Sequence, residues 1–126
     1  MSNGCATRGQ GLILACSGGS NVGQITNQAA IELERGGLGR VSCSVGVAAG
    51  IDSLVNTARQ APNVTVLDGC AVGCAKAALL ERAGREPDAY VLVTDLGVAK
   101  AHDFDLNTAD VALTVTAARQ AMGLPG

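Results

Sequence analysis

Five cysteines, Cys5, Cys16, Cys43, Cys70 and Cys74, are the residues of this chain most able to do chemistry. The closest pair sits in the stretch LDGCAVGCAK (Leu67 to Lys76), where an apolar run ends and a helical pattern begins. Its C-x3-C spacing falls within the two to four intervening residues typical of zinc ligands. On a helix, positions i and i+4 share a face, so both sulfurs can point the same way. The spacing is not the C-x-x-C of thioredoxin-like redox proteins. In a reducing compartment thiols stay free, so five cysteines indicate metal or redox chemistry more than structural disulfides.

Composition narrows the alternatives. At 126 residues the chain suits one domain able to bury a core without disulfide staples. Hydrophobic residues make up 48%, yet the large aromatics are limited to Tyr90 and Phe104. A core of Val, Leu, Ile and Ala with 17 glycines suits close strand–helix packing. The formal net charge of −2 offers no general attraction for nucleic acid, and so few aromatics leave little for base stacking. GLILAC (Gly11 to Cys16) resembles the end of a lipoprotein signal. Its apolar run is about five residues, against the roughly 7–15 of a signal peptide and the ~20 of a membrane span. The expectation is a cytoplasmic protein without a membrane partner.

The chain alternates apolar runs with helical patterns. GLILAC is a strand buried on both faces. SGGSNVG is a loop, and a helix follows over Val22 to Arg35 with a stripe of Ile25, Ala29 and Leu33, ended by Gly36 and Gly37. GRVSCS is a second strand, and a helix over Ile51 to Gln60 stops at Pro62. NVTVLDG is a third strand, followed by a helix marked by Val72, Ala75 and Leu79 and closed near Gly84. DAYVLVTDLG is a fourth strand. Asn107 or Thr108 caps a last helix with Val111, Val115, Ala118 and Met122 on one stripe. Residues 1–10 read as a loose tail and 11–126 as one α/β domain.

Four strand–helix alternations predict a three-layer, Rossmann-like (flavodoxin-like) fold with a parallel four-stranded sheet of order 2-1-3-4 and helices on both faces. Ligands of such sheets bind at the carboxyl edge, where the winding reverses. Cys16 ends the first strand, Cys43 ends or nearly ends the second, Cys70 follows the third and Cys74 lies one turn into the next helix. All four are therefore expected at one sheet edge. Neighbouring strands lie about 4.8 Å apart, compatible with thiolates sharing a metal at about 2.3 Å each. Cys43 stands two strand spacings from Cys70, roughly 9.6 Å, so loops must curl inward for it to join.

Other candidate groups surround this edge. Ser17, Ser20 and Asn21, with three glycines, form a first strand–helix turn able to present amides to an anion. It is not a Cys-x5-Arg phosphatase loop, because Val22 occupies the arginine position, and no Gly-Lys-Ser/Thr triplet is present. Asp68 and Asp95, ending strands three and four, could support ligands from behind. Lys76 could favour thiolates electrostatically, whereas His102, in the charged loop KAHDFD, reads as exposed.

The blocks ACSGGSNVGQITNQAA, DGCAVGCAK and VTDLGVAK, in this order and spacing from about Leu12 to Phe104, resemble the DGC domain family, small bacterial and archaeal proteins described as zinc-binding. The family takes its name from the triplet seen here as Asp68-Gly69-Cys70. The resemblance implies a Rossmann-like metal-binding domain whose recurring cysteines match Cys16, Cys43, Cys70 and Cys74, with Cys5 outside the match. It implies no defined reaction. The leading expectation is one zinc held by four thiolates, structural or passed to a protein partner. A four-thiolate site is closed to water and unsuited to hydrolysis. The alternative is a thiol redox or sulfur-transfer enzyme, with Cys70 as nucleophile and Cys74 or Cys16 resolving. An iron–sulfur protein is the third reading.

Overall fold

The computed structural model describes residues 11–125, so the expected tail and Cys5 lie outside the described residues. The strands β1 (Leu12–Ala15), β2 (Arg40–Val41), β3 (Val64–Asp68) and β4 (Ala89–Leu92) form a four-stranded sheet of order β2-β1-β3-β4. Every pairing is parallel. The helices are α1 (Asn21–Arg35), α2 (Ser44–Ala48), α3 (Asp52–Gln60), α4 (Cys74–Ala78) and α5 (Thr108–Ala121). The fold class and strand order are those expected from the sequence.

The period of two in β1 and β3 makes the three layers. Leu12, Leu14, Val64 and Val66 face one way and pack on Val47 of α2, Val55 and Ala58 of α3, and Ala75 and Ala78 of α4. Ile13, Ala15 and Leu67 face the other way, onto Ala29 and Leu33 of α1 and Ala118 of α5. Both faces of β1 and β3 are thus covered, which explains why these strands are apolar throughout. Each fully buried Leu, Ile or Val contributes about 1.5–3 kcal/mol. A third cluster, Val22, Ile25, Val93 and Val98, seals the region beyond the strands' carboxyl ends.

Several boundaries differ from the sequence reading, each for a local reason. β2 ends at Val41, although the Ser42 amide still donates to the Ile13 carbonyl at 2.9 Å. Cys43 therefore lies beyond the strand, exposed, at the start of the separate helix α2. β4 ends at Leu92 because the chain winds into a 3₁₀ turn over Val93–Leu96, so Asp95 sits in that turn and not at a strand end. Residues 70–73 make a turn closed by the Gly73 amide on the Cys70 carbonyl at 3.0 Å. Cys74 is consequently the first residue of α4 instead of one turn inside it, and Val72 is 69% exposed instead of packed. Beyond Ala78 the helix continues as a π-helical turn, Leu79–Ala83. Asn107 is the cap of α5, its side chain accepting from the Ala109 amide.

Gly69 is dictated by close approach. A β-carbon there would stand 2.7 Å from the Val22 carbonyl carbon and 2.8 Å from the Gly23 nitrogen, both backbone atoms at the start of α1. Backbone cannot yield as a flexible side chain can. Gly69→Ala is expected to destabilise the fold by about 1–3 kcal/mol. Gly19→Ala, whose added methyl would meet nothing within 4 Å, is expected to be near neutral in the same urea-unfolding series.

Candidate functional site

Cys16 directly follows β1 and is held from three sides. Its amide donates to the Leu67 carbonyl at 3.0 Å, and its Sγ accepts from the Gly69 amide at 3.2 Å. Thr26 Oγ1 lies 3.5 Å from the sulfur. The threonine hydroxyl also lies 2.7 Å from the Gly23 carbonyl, to which it donates. Burial pushes the Cys16 thiol up from its ordinary value, and the charges of Asp68 and Cys74 act in the same sense. The hydrogen bonds from Thr26 and Gly69 oppose that shift without reversing it. Cys16 is a held, protonated thiol.

Cys70 lies two residues past the end of β3 and is half-buried, while Cys74 is exposed at the first position of α4. Gly73, in the left-handed region with φ 66°, turns the chain into the helix between them. Cys16, Cys70 and Cys74 line one cleft of about 350 Å³ at the carboxyl edge, together with Asp68, the Ser17–Ser20 loop and Lys100. Lys100 Nζ is 3.4 Å from Cys70 Sγ. Cys43 is not among the residues lining this cleft.

The aspartate of the Asp-Gly-Cys triplet serves the helix. Asp68 is fully buried. Its Oδ1 accepts from the Ala75 amide at 2.9 Å, and its Oδ2 accepts from the Lys76 amide at 3.1 Å and the Tyr90 hydroxyl at 2.9 Å. Gly73 has no side chain with which to cap α4, so the strand-borne carboxylate meets amides left unpaired at the helix start. Burial, followed by the Asp68 hydrogen bond and charge, drives the Tyr90 phenol well above its ordinary value. Lys76 stacks its ammonium over the Tyr90 ring, 4.8 Å from the centroid, so it is occupied there and does not line the cysteine cleft.

The loop after Cys16 is largely self-satisfied. Ser20 Oγ accepts from the Gly23 amide at 3.1 Å as the cap of α1. Asn21 accepts from the Ala101 amide at 2.7 Å and donates to the Ala99 carbonyl at 2.9 Å, so the side chains of Ser20 and Asn21 are engaged internally. Ser17 adopts a positive φ of 55° and remains exposed at the cleft. His102 is exposed, with Nδ1 3.1 Å from the Gly19 carbonyl.

The donor chemistry suits zinc in kind, since three thiols share one cleft. Among the described residues, however, no three His, Cys, Asp or Glu side chains are gathered closely enough to hold an ion. The Asp68 oxygens already accept three hydrogen bonds. Sequence reasoning found the cysteines but missed Thr26, Tyr90 and Lys100. Only Lys100 carried a signal, standing at the end of the VTDLGVAK block.

Two expectations follow. Asp68→Asn replaces an accepting oxygen with a donor amide facing other donors, and should cost about 1–3 kcal/mol, read as a lowered urea midpoint. The second concerns alkali. Cys16 and Tyr90 are both raised, so the fold favours their neutral forms while the unfolded chain ionises at the ordinary values of 9.0 and 10.0. Their stabilisation is complete below pH 9 and is lost as pH rises toward their folded values. The urea midpoint should therefore fall between pH 8 and pH 11, and Tyr90→Phe should flatten part of that fall.

Against known proteins, the DGC domain model matches residues 12–118. The chain is 35% identical over 99 residues to "Anaerobic and virulence modulator AnvM" of Pseudomonas aeruginosa, covering 79% of this chain and 75% of that protein. No solved structure matches. Among the described residues no helix is long and apolar enough to cross a membrane. With its Asp68-Gly69-Cys70 triplet built into the edge of the sheet and the family model spanning most of its length, the chain belongs to the DGC domain family.

Proposed function

We propose that this is a cytoplasmic metal-binding protein in which Cys16, Cys70 and Cys74 hold a thiophilic ion, zinc. The observation that carries the reading is that three thiols, from β1's end, β3's end and the start of α4, line one cleft. Cys43, the fourth thiol of the expectation, is exposed and is not among the residues lining this cleft, so the proposal is built on the other three. Three sulfurs leave one position of a tetrahedral ion open, which suits an ion passed to a protein partner better than a permanently closed structural site. Gathering the three sulfurs requires movement at Cys70 and Cys74, which lie in a turn and at a short helix's start. Cys16 is the fixed point, and it must give up its proton to bind. Uptake therefore releases protons and strengthens as pH rises.

The alternative, a redox or sulfur-transfer enzyme using Cys70 with Cys74 or Cys16, is favoured by the ammonium of Lys100 beside Cys70. Metal per chain across single Cys→Ser variants decides between them. Cys16→Ser, Cys70→Ser and Cys74→Ser are expected to lose the ion and Cys43→Ser to retain it. Zinc at a hundredfold excess over Kd should add about 2.7 kcal/mol to wild-type stability. Full occupancy in both Cys70→Ser and Cys74→Ser would reject the shared site. A metal-free wild type with a fast-reacting Cys70 would favour the thiol enzyme.

A further inference from the structure

The segment joining the 3₁₀ turn after β4 to α5 contributes Lys100 to the cysteine cleft, and the Asn21 side chain fastens it. Asn21, at the first position of α1, donates from its Nδ2 to the Ala99 carbonyl at 2.9 Å. Its Oδ1 accepts from the Ala101 amide at 2.7 Å, and its own amide donates to the Ala101 carbonyl at 2.9 Å. Ala99 and Ala101 flank Lys100, so the backbone on either side of that lysine is clamped. His102 adds a 3.1 Å contact to the Gly19 carbonyl just beyond.

An exposed lysine ordinarily spreads over many rotamers, and its pairing with a lone surface group contributes little. Lys100 differs in two respects. Its backbone is fixed from both sides, and its Nζ reaches 3.4 Å from Cys70 Sγ in the cleft that Cys16 and Cys74 also line. Three thiolates around a divalent ion carry a net charge of −1, and Asp68 lies beside them in the same cleft. Of the residues lining the cleft, Lys100 is the one that brings a cation. Groups held just outside a metal's ligands typically alter affinity by about 10–100-fold.

We propose that Lys100, presented by the Asn21 clamp, is the charge partner of the thiolate cluster and sets its metal affinity, an inference that rests on the metal-binding reading. Its role is positional and electrostatic, without a bond to the ion. The role assigned to Asn21 is then to aim this lysine instead of binding an anion.

The test is zinc titration against a chromophoric chelator, on wild type, Lys100→Met, Lys100→Arg and Asn21→Ala, at low and high ionic strength. Lys100→Met should weaken zinc binding about 10–100-fold, with the melting temperature of the zinc-free protein unchanged. Lys100→Arg should recover most of the affinity, and Asn21→Ala should weaken binding in the same direction. Added salt should weaken wild type more than Lys100→Met, because the charge interaction is partly exposed to screening. Wild-type affinity and salt dependence in Lys100→Met would overturn the proposal while leaving the metal site standing. Equal loss in Lys100→Met and Lys100→Arg would also overturn it. A wild type that takes up no zinc would overturn the metal reading itself, and this role of Lys100 with it.

Discussion

The carboxylate of Asp68 is the constraint on which the site depends. It ends β3, and its three hydrogen bonds reach the start of α4 and the hydroxyl of Tyr90 on β4. One buried anion thus fastens two strands and a helix at the edge where the thiols stand. A buried carboxylate is costly unless its oxygens are matched by donors. Here the donors are amides at a helix start, where partial positive charge already favours an anion. Without this bond α4 would begin behind a glycine with no side chain to cap it, and Cys74 would have no fixed place. The short α4 also packs Ala75 and Ala78 on the apolar sheet face, so capping and burial act together.

The Asp-Gly-Cys triplet then has a separate physical reason for each residue. The aspartate caps a helix from a strand end. The glycine lets β3's end approach the first turn of α1 to within backbone contact, and its amide donates to Cys16 Sγ at 3.2 Å. The cysteine comes next, where the chain leaves the sheet and lines the cleft. Three adjacent positions therefore tie β3 to α4, to α1 and to the cleft, which explains why so short a motif organises the whole edge. The thiols lining this cleft are unequal. Cys16 is shielded and held by a backbone amide and Thr26, whereas Cys74 is open to solvent. Such a division suits a site with one fixed donor and others that move.

Much of this was legible in the sequence by itself. Continuous apolar runs in β1 and β3, and four-residue stripes in α1 and α5, specified strands covered on both faces and the helices that cover them. With right-handed crossovers these allow the order 2-1-3-4. The sequence also placed Cys16 and Cys70 at adjacent strand ends, because parallel order alone brings those ends together. What only the tertiary structure decided are features set by contacts far apart in the chain. Cys43 stands just before a separate helix and not at a strand end, because β2 is short and α2, whose Val47 packs on the sheet, begins at once. Asp68 caps a helix seven residues onward, which its turn composition could not reveal. Lys100 stands beside Cys70 across thirty positions, and Asn21 hydrogen-bonds the residues on either side of it, an arrangement no local pattern encodes. Periodicity reports which face a residue buries; it does not report which distant polar group completes its hydrogen bonds.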